Sequence, residues 1–440
     1  MKTLKDKAMK IAAIADLHLG VKWGTQREMD AFEQAKEAFE RAIDAGADLI
    51  LILGDIFDRP VPSLEVWNSA LRILSIPATK GRCRIKLESA TDKPLEEISP
   101  LAFTGTPVVA IHGNHERRTK GLTNPVAALE AAGLLIHLEA GKLVFRKNGE
   151  RVAIWGMSNY PDQYVKENLK TLNPKPEKGA TNIFAFHQSI GQFVYSEDEK
   201  SILDISDLPR GFDIYLDGHV HCRGEAAVDG RPLLIPGSTE RTQLLLAEAE
   251  NPKGFYMIET GNEIKYNFVE LHSPRDFFYE EVKFEDATPL EILNTARAKI
   301  QELLKRHRKN TLKSPIIKLK LLGTLAKEVS RADIDERQLI EEFSKEAIVD
   351  IRKDGLISPG LEEKLLHLRQ VKERKLSIDE ETIVILEDLL KDTSYREFFD
   401  LRAIYELVVE KREEEALRRI LEVIEQKTLA EVGRPDDNKS

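Results

Sequence analysis

The amino-acid sequence predicts an α/β fold. Between Lys10 and about Leu271, short apolar runs alternate with segments of helical periodicity, which is the pattern of buried strands connected by helices. The chain has 440 residues, which is too long for one small core, so we expect two or three domains. Its 42% hydrophobic and 32% charged residues are typical of a soluble globular protein and exclude a disordered or fibrous chain.

Strands of the first domain are predicted where a short apolar run ends at a polar residue. The runs are residues 11–15, 49–53, 107–111, 152–155, 183–186 and 214–216. After the first run, Met29, Phe32, Phe39 and Ile43 recur at helical spacing and predict an amphipathic helix. Residues 78–105 are polar and rich in lysine and glutamate, so we expect a loop insertion there.

The pattern changes after about His272. Residues 288–291 combine an N-cap threonine, a proline at the first helical position and a capping-box glutamate, so a helix is predicted to start there. Ile317, Leu319 and Leu321 alternate with lysines and predict a half-exposed strand. The chain beyond this second unit has the pattern of helices. The three predicted domains are residues 1–283, 284–357 and 358–440.

Charge and cysteine content restrict the class of protein further. The 65 Lys and Arg residues against 75 Asp and Glu residues give a formal net charge of −10, which argues mildly against a nucleic-acid partner. Cys83 and Cys222 are far apart, so neither a disulfide scaffold nor a zinc ribbon is expected, and a reducing cytoplasm is the simplest location. No apolar stretch is long enough for a membrane helix, so no membrane partner is expected.

Side chains able to bind metals follow most of the predicted strands. They are Asp16, His18, Asp55, Asn114, His115, His187, His219 and His221. In open α/β sheets ligands bind beyond the carboxyl ends of the strands, so these side chains are expected to converge on one crevice. Carboxylates, imidazoles and an amide together suit ions such as Mn²⁺, Fe²⁺ or Zn²⁺. Because the groups exceed what one ion needs, we predict two ions that share a carboxylate.

Each motif taken alone also has an ordinary structural explanation. Gly54-Asp55 is compatible with a turn before a helix, and His187 alone is compatible with a buried core histidine. The pair His219 and His221 is harder to explain without a ligand, because two imidazoles would crowd one strand end. The order of the motifs, each at the end of a strand, favours the metal site over these alternatives.

The same motifs resemble those of the calcineurin-like metallophosphoesterase superfamily. The matching elements are Asp16-x-His18, Gly54-Asp55-x-x-Asp58-Arg59, Gly113-Asn114-His115-Glu116, His187 and Gly218-His219-x-His221. Residues 186–190, 236–238 and 271–278 resemble, more narrowly, the double-strand-break repair nucleases of the meiotic-recombination-eleven family, of the archaeal type, whose bacterial counterpart is SbcD. The resemblance is strongest from Lys10 to about Phe284.

The resemblance implies a fold, a set of ligands and an activity. The fold would be a β-sandwich flanked by helices (α/β/β/α), with a small α/β capping domain that recognises DNA and with C-terminal helices. Two Mn²⁺ ions per subunit would be held, one by Asp16, His18, Asp55 and His221, and the other by Asp55, Asn114, His187 and His219. His115 would protonate the leaving oxygen. The activity would be that of a 3′–5′ exonuclease on double-stranded DNA and an endonuclease on single-stranded DNA.

The resemblance also implies partners. The C-terminal helices would bind the coiled coil of an ABC-type ATPase of the Rad-fifty or SbcC type. Phe398, Leu401, Tyr405 and Val408 form an apolar stripe that suits this role, although packing on the protein's own core would explain it too. A homodimer through the helices that follow the first two strands, and a cytoplasmic, nucleoid-associated location, are further expectations.

Basic side chains near the motifs are candidates for contacts with DNA phosphates. They are Lys22, Arg27, Arg59, Arg117, Arg118 and Lys120. A solvated loop explains the run at residues 117–120 equally well. Some archaeal relatives carry a histidine three positions after the bridging aspartate, where this chain has Asp58, so the balance between exonuclease and endonuclease activity stays open.

Two other functions are compatible with parts of the sequence. Asp55-x-x-Asp58-Arg59 is similar to a motif of the protein serine/threonine phosphatases, but the paired His219 and His221, the missing glycine after Arg59 and the additional domains argue against a phosphatase. A non-catalytic scaffold that bridges DNA ends is the other alternative. The intact set of metal-binding side chains argues against that scaffold.

Overall fold

A computed structural model describes most of the chain. It covers residues 8–119, 121–194, 201–261, 263–307, 313–327, 329–358, 383, 385–387, 389–390 and 399–432, with the side chains of the last helix described as far as residue 424. Lys120 and Phe398, which the sequence suggests for DNA contacts and for the apolar stripe, lie outside these residues. Among the helices that the structure describes, none combines the length and the apolar character that crossing a membrane requires.

The described residues form both strands and helices. The strands are β1 (Lys10–Ile14), β2 (Leu49–Leu53), β3 (Lys86–Ala90), β4 (Val108–Ile111), β5 (Ile136–His137), β6 (Ala140–Lys147), β7 (Glu150–Met157), β8 (Thr181–Phe186), β9 (Ile214–Asp217), β10 (Gly224–Val228), β11 (Arg231–Ile235), β12 (Gly254–Glu259), β13 (Lys265–Glu270), β14 (Phe277–Ala287), β15 (Ile316–Leu325) and β16 (Ile348–Ile357). The helices are α1 (Asp30–Asp44), α2 (Leu64–Leu74), α3 (Ile76–Lys80), α4 (Pro125–Ala131), α5 (Asp162–Leu172), α6 (Leu246–Glu250), α7 (Pro289–Arg306), α8 (Glu336–Glu342), α9 (Leu401–Val409) and α10 (Glu413–Val432).

Two sheets pack face to face around one apolar core. The first sheet has the strand order β13-β12-β1-β2-β4-β5, and the second has the order β10-β11-β9-β8-β7-β6-β3. Side chains from both sheets share the core, including Ile11, Leu51, Val109, Ile154, Ile183 and Leu216. The other faces of the same strands are covered as well, which is why β2 is apolar at every position instead of alternating with polar residues.

Helices cover the outer faces of both sheets. Phe32 and Phe39 of α1 pack in the cluster that contains the outward-facing residues of β1 and β2. Val165 and Leu169 of α5 pack with Phe184 on the outer face of the second sheet. The predicted α/β/β/α arrangement is confirmed.

One expectation about the first domain is wrong. Residues 78–105 are not only a loop, because residues 86–90 form β3, which pairs with β6 at the edge of the second sheet. The segment also contains two short 3₁₀ turns, Leu95–Glu97 and Pro100–Phe103. Its polar composition agrees with an edge position, because an edge strand exposes one side to solvent.

The chain divides into two compact units. The first comprises Met1–Glu280, Ile300–Lys318 and Glu342–Asp350, and the second comprises Glu281–Lys299, Leu319–Glu341 and Ile351–Ser440. Strands β14, β15 and β16 form a three-stranded sheet, as the alternation at residues 317–321 predicts for β15. The helix predicted at residues 288–291 begins at Pro289, and Glu291 accepts a 2.9 Å hydrogen bond from the Thr288 backbone N–H. The three-domain boundaries stay a prediction.

Glycines let strand ends approach one another closely, both within the first sheet and between the two sheets. A Cβ atom on Gly218, which follows β9, would lie 2.0 Å from the carbonyl oxygen of Leu53 at the end of β2. A Cβ atom on Gly113, which follows β4, would lie 2.0 Å from Oδ1 of Asp55. Both distances are far below van der Waals contact, so only glycine fits. The positions of these strand ends are therefore fixed by backbone contact.

Gly218→Ala is expected to lower the free energy of unfolding by about 3 kcal/mol or more, because the new methyl group meets the backbone of β2, which cannot move without separating the sheets. Urea denaturation measures the loss. Gly230→Ala, in the turn between β10 and β11, is the control: it has a φ of 78° and no atom within 4 Å of the added Cβ. That control should cost only about 1–2 kcal/mol, from backbone strain. An equal loss of unfolding free energy in the two variants would contradict the proposed steric clash at Gly218.

Candidate metal centre

The candidate centre lies where strands of both sheets end. The residues that follow β1, β2 and β9 contact one another through their backbones. The Asp16 N–H donates to the Gly54 carbonyl at 3.2 Å, and the His18 N–H donates to the Asp55 carbonyl at 2.9 Å. The His219 N–H donates to Oδ1 of Asp16 at 3.0 Å. The sheet topology therefore brings together motifs that are far apart in sequence.

One group of donor atoms comes from Asp16, His18 and His221, all of which are buried. One ligand atom of each lies within 4.8 Å of the others. Nε2 of His18 lies 2.9 Å from Nε2 of His221, a distance at which two imidazole lone pairs repel unless a proton or a cation lies between them. Oδ2 of Asp16 is buried and has no hydrogen-bond partner in the described part of the chain. The opposed imidazole nitrogens and the carboxylate oxygen of Asp16 suit a divalent cation.

A second group comes from Asp55, His187 and His219, again with ligand atoms within 4.8 Å of one another. Oδ1 of Asn114 belongs with it, at 3.1 Å from Nε2 of His187 and 3.0 Å from Nδ1 of His219. Oδ2 of Asp55 lies 3.4 Å from Nε2 of His187 and 3.8 Å from Nε2 of His18. Asp55 therefore lies between the two groups and could contribute to both.

Hydrogen bonds to the far side of each ring orient the imidazoles. Nδ1 of His187 is 2.7 Å from the Leu53 carbonyl oxygen, and Nδ1 of His115 is 2.8 Å from the Asp58 carbonyl oxygen. A carbonyl oxygen only accepts, so Nδ1 carries a proton in both rings, and Nε2 is the nitrogen of His187 that would bind a metal. His115 lies beside His18, with ring centroids 4.8 Å apart in an edge-to-face arrangement.

The backbone is strained at four of the predicted ligand positions. Asp16, His18, Asp55 and His219 have φ values of 51°, 45°, 49° and 75°. Residues with a Cβ atom rarely adopt such left-handed conformations, which cost on the order of 1–3 kcal/mol each. Backbone strain costs stability, so its clustering at potential ligands indicates that these conformations serve to orient the side chains.

Burial and neighbouring charges have opposing effects on the pKa values of the side chains in the centre. Burial raises the pKa of Asp16 well above its usual range and lowers the pKa of His18 to about 4. Burial opposes charge on His187 too, but Asp55 outweighs it and raises the pKa of His187 to about 10. For Asp55, burial alone would raise the pKa, and the charges of His187 and His18 reverse the direction and lower it. A divalent cation would supply the positive charge that the buried carboxylates need.

Two polar residues beside the centre are missing from the sequence-based set. Thr242 Oγ1 is hydrogen-bonded to Nδ1 of His221, and no motif points to it. Glu116 is buried and accepts backbone N–H groups of Phe57 and Gly113, each at 2.9 Å, which joins the ends of β2 and β4. Burial raises the pKa of Glu116 to about 8. Its place in the Gly113–Glu116 motif was the available signal.

The basic residues divide into two sets. Arg27 is buried against Glu240, at 2.6 Å, so its expected place on a DNA-binding surface is wrong. The reason is that an arginine's burial depends on tertiary partners that its sequence neighbours do not reveal. The exposed residues of the set are Lys22, Arg59, Arg117 and Arg118.

A third group of potential ligands lies next to the first. It consists of His18, Asp58 and His115, with ligand atoms within 4.8 Å of one another. Asp58 is partly exposed, and its Oδ1 lies 3.7 Å from Nδ1 of His18. Asp58 therefore adds negative charge at the outer side of the centre, where the sequence departs from the archaeal pattern.

Comparison with known proteins identifies relatives of the chain. Residues 9–223 match the family model described as Calcineurin-like phosphoesterase. The DNA double-strand break repair protein Mre11 of Methanopyrus kandleri is 30% identical over 300 residues, which is 63% of this chain and 60% of the relative. The double-strand break repair protein mre-11 of Caenorhabditis elegans is 27% identical over 66% of this chain and 45% of the relative. Mre11 of Archaeoglobus fulgidus is 26% identical over 405 residues, 82% of this chain and 80% of the relative.

These matches confirm the resemblance that the strand-end motifs predict. The chain spans less than two thirds of the length of the first two relatives, at 60% and 45%. The family match ends at residue 223 and so includes all the candidate ligands.

Asp16→Asn is expected to raise the free energy of unfolding by about 1 kcal/mol at pH 8 in EDTA, because an amide is cheaper to bury than a carboxylate with an unpaired oxygen. Chemical denaturation of the metal-free protein measures the change. Asp30→Asn is the matched control, since Asp30 is equally buried but pairs with Nε of Arg275 at 2.6 Å. Breaking that pair should cost about 3–5 kcal/mol. A similar loss for Asp16→Asn would show that Asp16 has a structural role.

Proposed function

Because residues 9–223 form a calcineurin-like phosphoesterase domain, we propose that the chain is a metal-dependent nuclease that hydrolyses DNA phosphodiester bonds during double-strand break repair. The observation that carries this proposal is the convergence of buried carboxylate, imidazole and amide donors into two groups that meet at Asp55. The relatives suggest the substrate, since each is named as a double-strand break repair protein.

The proposed centre holds two Mn²⁺ ions per subunit. Asp16, His18, Asp55 and His221 would bind one ion, and Asp55, Asn114, His187 and His219 would bind the other. Bound there, a pair of divalent cations provides a nucleophilic water at neutral pH and offsets the negative charge that develops on the phosphoryl oxygens. The mixture of nitrogen and oxygen donors, with no thiolate, favours a borderline or hard cation such as Mn²⁺.

His115 is the proposed general acid. With Nδ1–H donating to the Asp58 carbonyl, the proton that the imidazolium form of His115 can give up is the one on Nε2. In this role it would protonate the departing 3′ oxygen of DNA, which typically contributes about 10²–10⁴ to the rate. The 3.0 Å hydrogen bond from the His115 backbone N–H to Oδ1 of Asp55 ties its position to the shared carboxylate.

DNA would be held by local basic groups instead of a general basic surface. The chain has a formal net charge of −10, so attraction to phosphates must come from the cations and from Lys22, Arg59, Arg117 and Arg118. Arg117 is tied to the centre, because it donates to Oδ1 of Asn159 at 2.7 Å and Asn159 donates to the His187 carbonyl at 3.0 Å. We propose both 3′–5′ exonuclease activity on double strands and endonuclease activity on single strands.

The C-terminal helices are the proposed binding site for the coiled coil of an ABC-type ATPase. Leu417, Leu421 and Ile424 of α10 are 57%, 50% and 37% exposed and recur at spacings of four and three, so they form one apolar stripe. Val408 and Val409 of α9, which packs with α10, are also exposed. An exposed stripe of this kind fits a helical partner.

A homodimer is also proposed. The helices that follow β1 and β2 are α1 and α2, and α2 exposes Leu64 and Leu71, which are 82% and 39% accessible. The spacing of seven residues places both on one side of the helix, where a second copy could cover them. A repair complex of this composition would act in the cytoplasm, at the nucleoid.

The wild-type chain is expected to cleave labelled DNA with Mn²⁺ and to lose this activity in EDTA. His115→Gln should lower kcat by about 10²–10⁴ without weakening Mn²⁺ binding, since His115 is outside the ligand set. Asp55→Asn should abolish cleavage and lower the affinity of both metal sites, because Asp55 serves both. Gel assays of cleavage and calorimetric titration of Mn²⁺ provide the measurements.

The same assay separates the alternatives. Hydrolysis of p-nitrophenyl phosphate without cleavage of DNA would establish the phosphatase instead. DNA binding that is unaffected by Mn²⁺, with no hydrolysis of either substrate, would establish the scaffold. Unchanged cleavage by His115→Gln would show that His115 is not the general acid.

Leu417→Asp combined with Leu421→Asp is expected to reduce capture of the coiled-coil ATPase by at least about 100-fold, because two charges would be buried at the interface. Arg419→Asp, which places the same acid on another face of α10, should change capture by no more than about threefold. Pull-down with the purified ATPase measures binding, and Mn²⁺-dependent cleavage by each variant should remain. If the ATPase is still captured after the leucine substitutions and also after deletion of the residues that follow Ile378, the C-terminal helices are not its binding site.

A further inference from the structure

Next to the first group of candidate ligands lies a network of buried and partly buried polar residues that the proposed function does not use. It consists of Ser238, Thr242, Glu248 and Lys253, and of these Ser238, Glu248 and Lys253 are 0%, 0% and 3% exposed. These residues lie between β11 and β12, where the sequence shows only the Pro236-Gly237-Ser238 motif. Burying a charged group costs free energy unless the group is paired and hydrogen-bonded. The hydrogen-bond partners of these buried residues therefore indicate what the residues hold in place.

Lys253 connects the network to the backbone of a predicted ligand. Its Nζ donates to the His221 carbonyl at 2.9 Å, to Ser238 Oγ at 2.9 Å and to Glu248 Oε1 at 2.7 Å. All three donor positions of the ammonium group are therefore used. The carboxylate of Glu248 accepts the backbone N–H groups of residues 242, 243 and 244 at 3.2, 2.9 and 2.6 Å. The Lys253–Glu248 pair thus holds both His221 and the loop that carries Thr242.

Thr242 completes the connection at the ring of His221. Its Oγ1 is hydrogen-bonded to Nδ1, while Nε2 faces His18 at 2.9 Å. Nε2 can bind a cation only when Nδ1 carries the ring proton, and that tautomer needs an acceptor at Nδ1. Backbone carbonyls meet this need for His187 and His115, but a side chain meets it for His221, so it can be removed by substitution.

We infer that Thr242 is a positioning residue that fixes the metal-binding tautomer of His221, and that the buried Lys253–Glu248 pair holds Thr242 in place. This inference rests on the proposed metal site. The same loop also contacts Asp16, because the Thr239 backbone N–H donates to the Asp16 carbonyl at 3.3 Å. The loop therefore supports one cation site from behind.

Three variants test this role. Thr242→Val keeps the shape and removes the hydroxyl, Thr242→Ser keeps the hydroxyl, and Thr239→Val is the matched control. Thr239 is 0% exposed and its Oγ1 has no hydrogen-bond partner in the described residues, so its substitution removes a buried hydroxyl from the same loop without removing a hydrogen bond. Calorimetric titration of the full chain with Mn²⁺ gives the number and affinity of the sites, and thermal unfolding in EDTA checks the fold.

Thr242→Val is expected to weaken one of the two Mn²⁺ sites by about 10–100-fold and to leave the other unchanged, whereas Thr242→Ser and Thr239→Val stay within about threefold of the wild type. Wild-type affinity for Thr242→Val, or equal weakening by Thr242→Ser, would overturn the inference. If the wild type bound no Mn²⁺, or if Asp55→Asn bound it normally, the proposed metal site itself would fail. The two failures are therefore distinguishable.

Discussion

The candidate metal centre depends on one hydrogen bond that crosses between the two sheets. His187, at the end of β8, directs Nδ1 to the carbonyl oxygen of Leu53, at the end of β2, over 2.7 Å. The contact requires glycine on both sides: a Cβ on Gly54 would lie 2.3 Å from Nδ1 of His187, and one on Gly218 would lie 2.7 Å from it. Because the bond fixes the ring, it also fixes where Nε2 meets Asn114. This hydrogen bond therefore fixes the position of the donor atoms from one sheet relative to those from the other.

The cost of this arrangement is carried by the backbone. Left-handed conformations at four candidate ligand positions, a carboxylate oxygen of Asp16 that has no partner among the described residues, and the opposed nitrogens of His18 and His221 all lower the stability of the centre. The sandwich core, continuous between the sheets, offsets that cost. The stable part of the fold and the reactive part are therefore separate: the strands supply the stability, and the residues just beyond their ends supply the chemistry.

Sequence patterns locate the candidate ligands because two strong signals coincide. A fully apolar run such as 49–53 marks a strand covered on both faces, and a polar residue directly after it marks the strand end, so the ligand positions follow from local chemistry. The patterns do not identify β3, because Lys86, Glu88 and Ser89 lack the apolar alternation of a core strand. They also miss Thr242, which meets His221 only through the loop between β11 and β12. Contacts of this kind depend on the folded chain.

The strand order has a consequence for how the protein is made. β1 lies between β2 and β12, and Lys10 pairs with Glu259. The segment that matches the family model ends at residue 223, so it lacks the strand that completes one side of β1. During synthesis every candidate metal ligand leaves the ribosome before residues 254–259 can close the sheet. Until then the edge of β1 that later pairs with β12 is open, and an unpaired edge of this kind is a template for pairing with another chain.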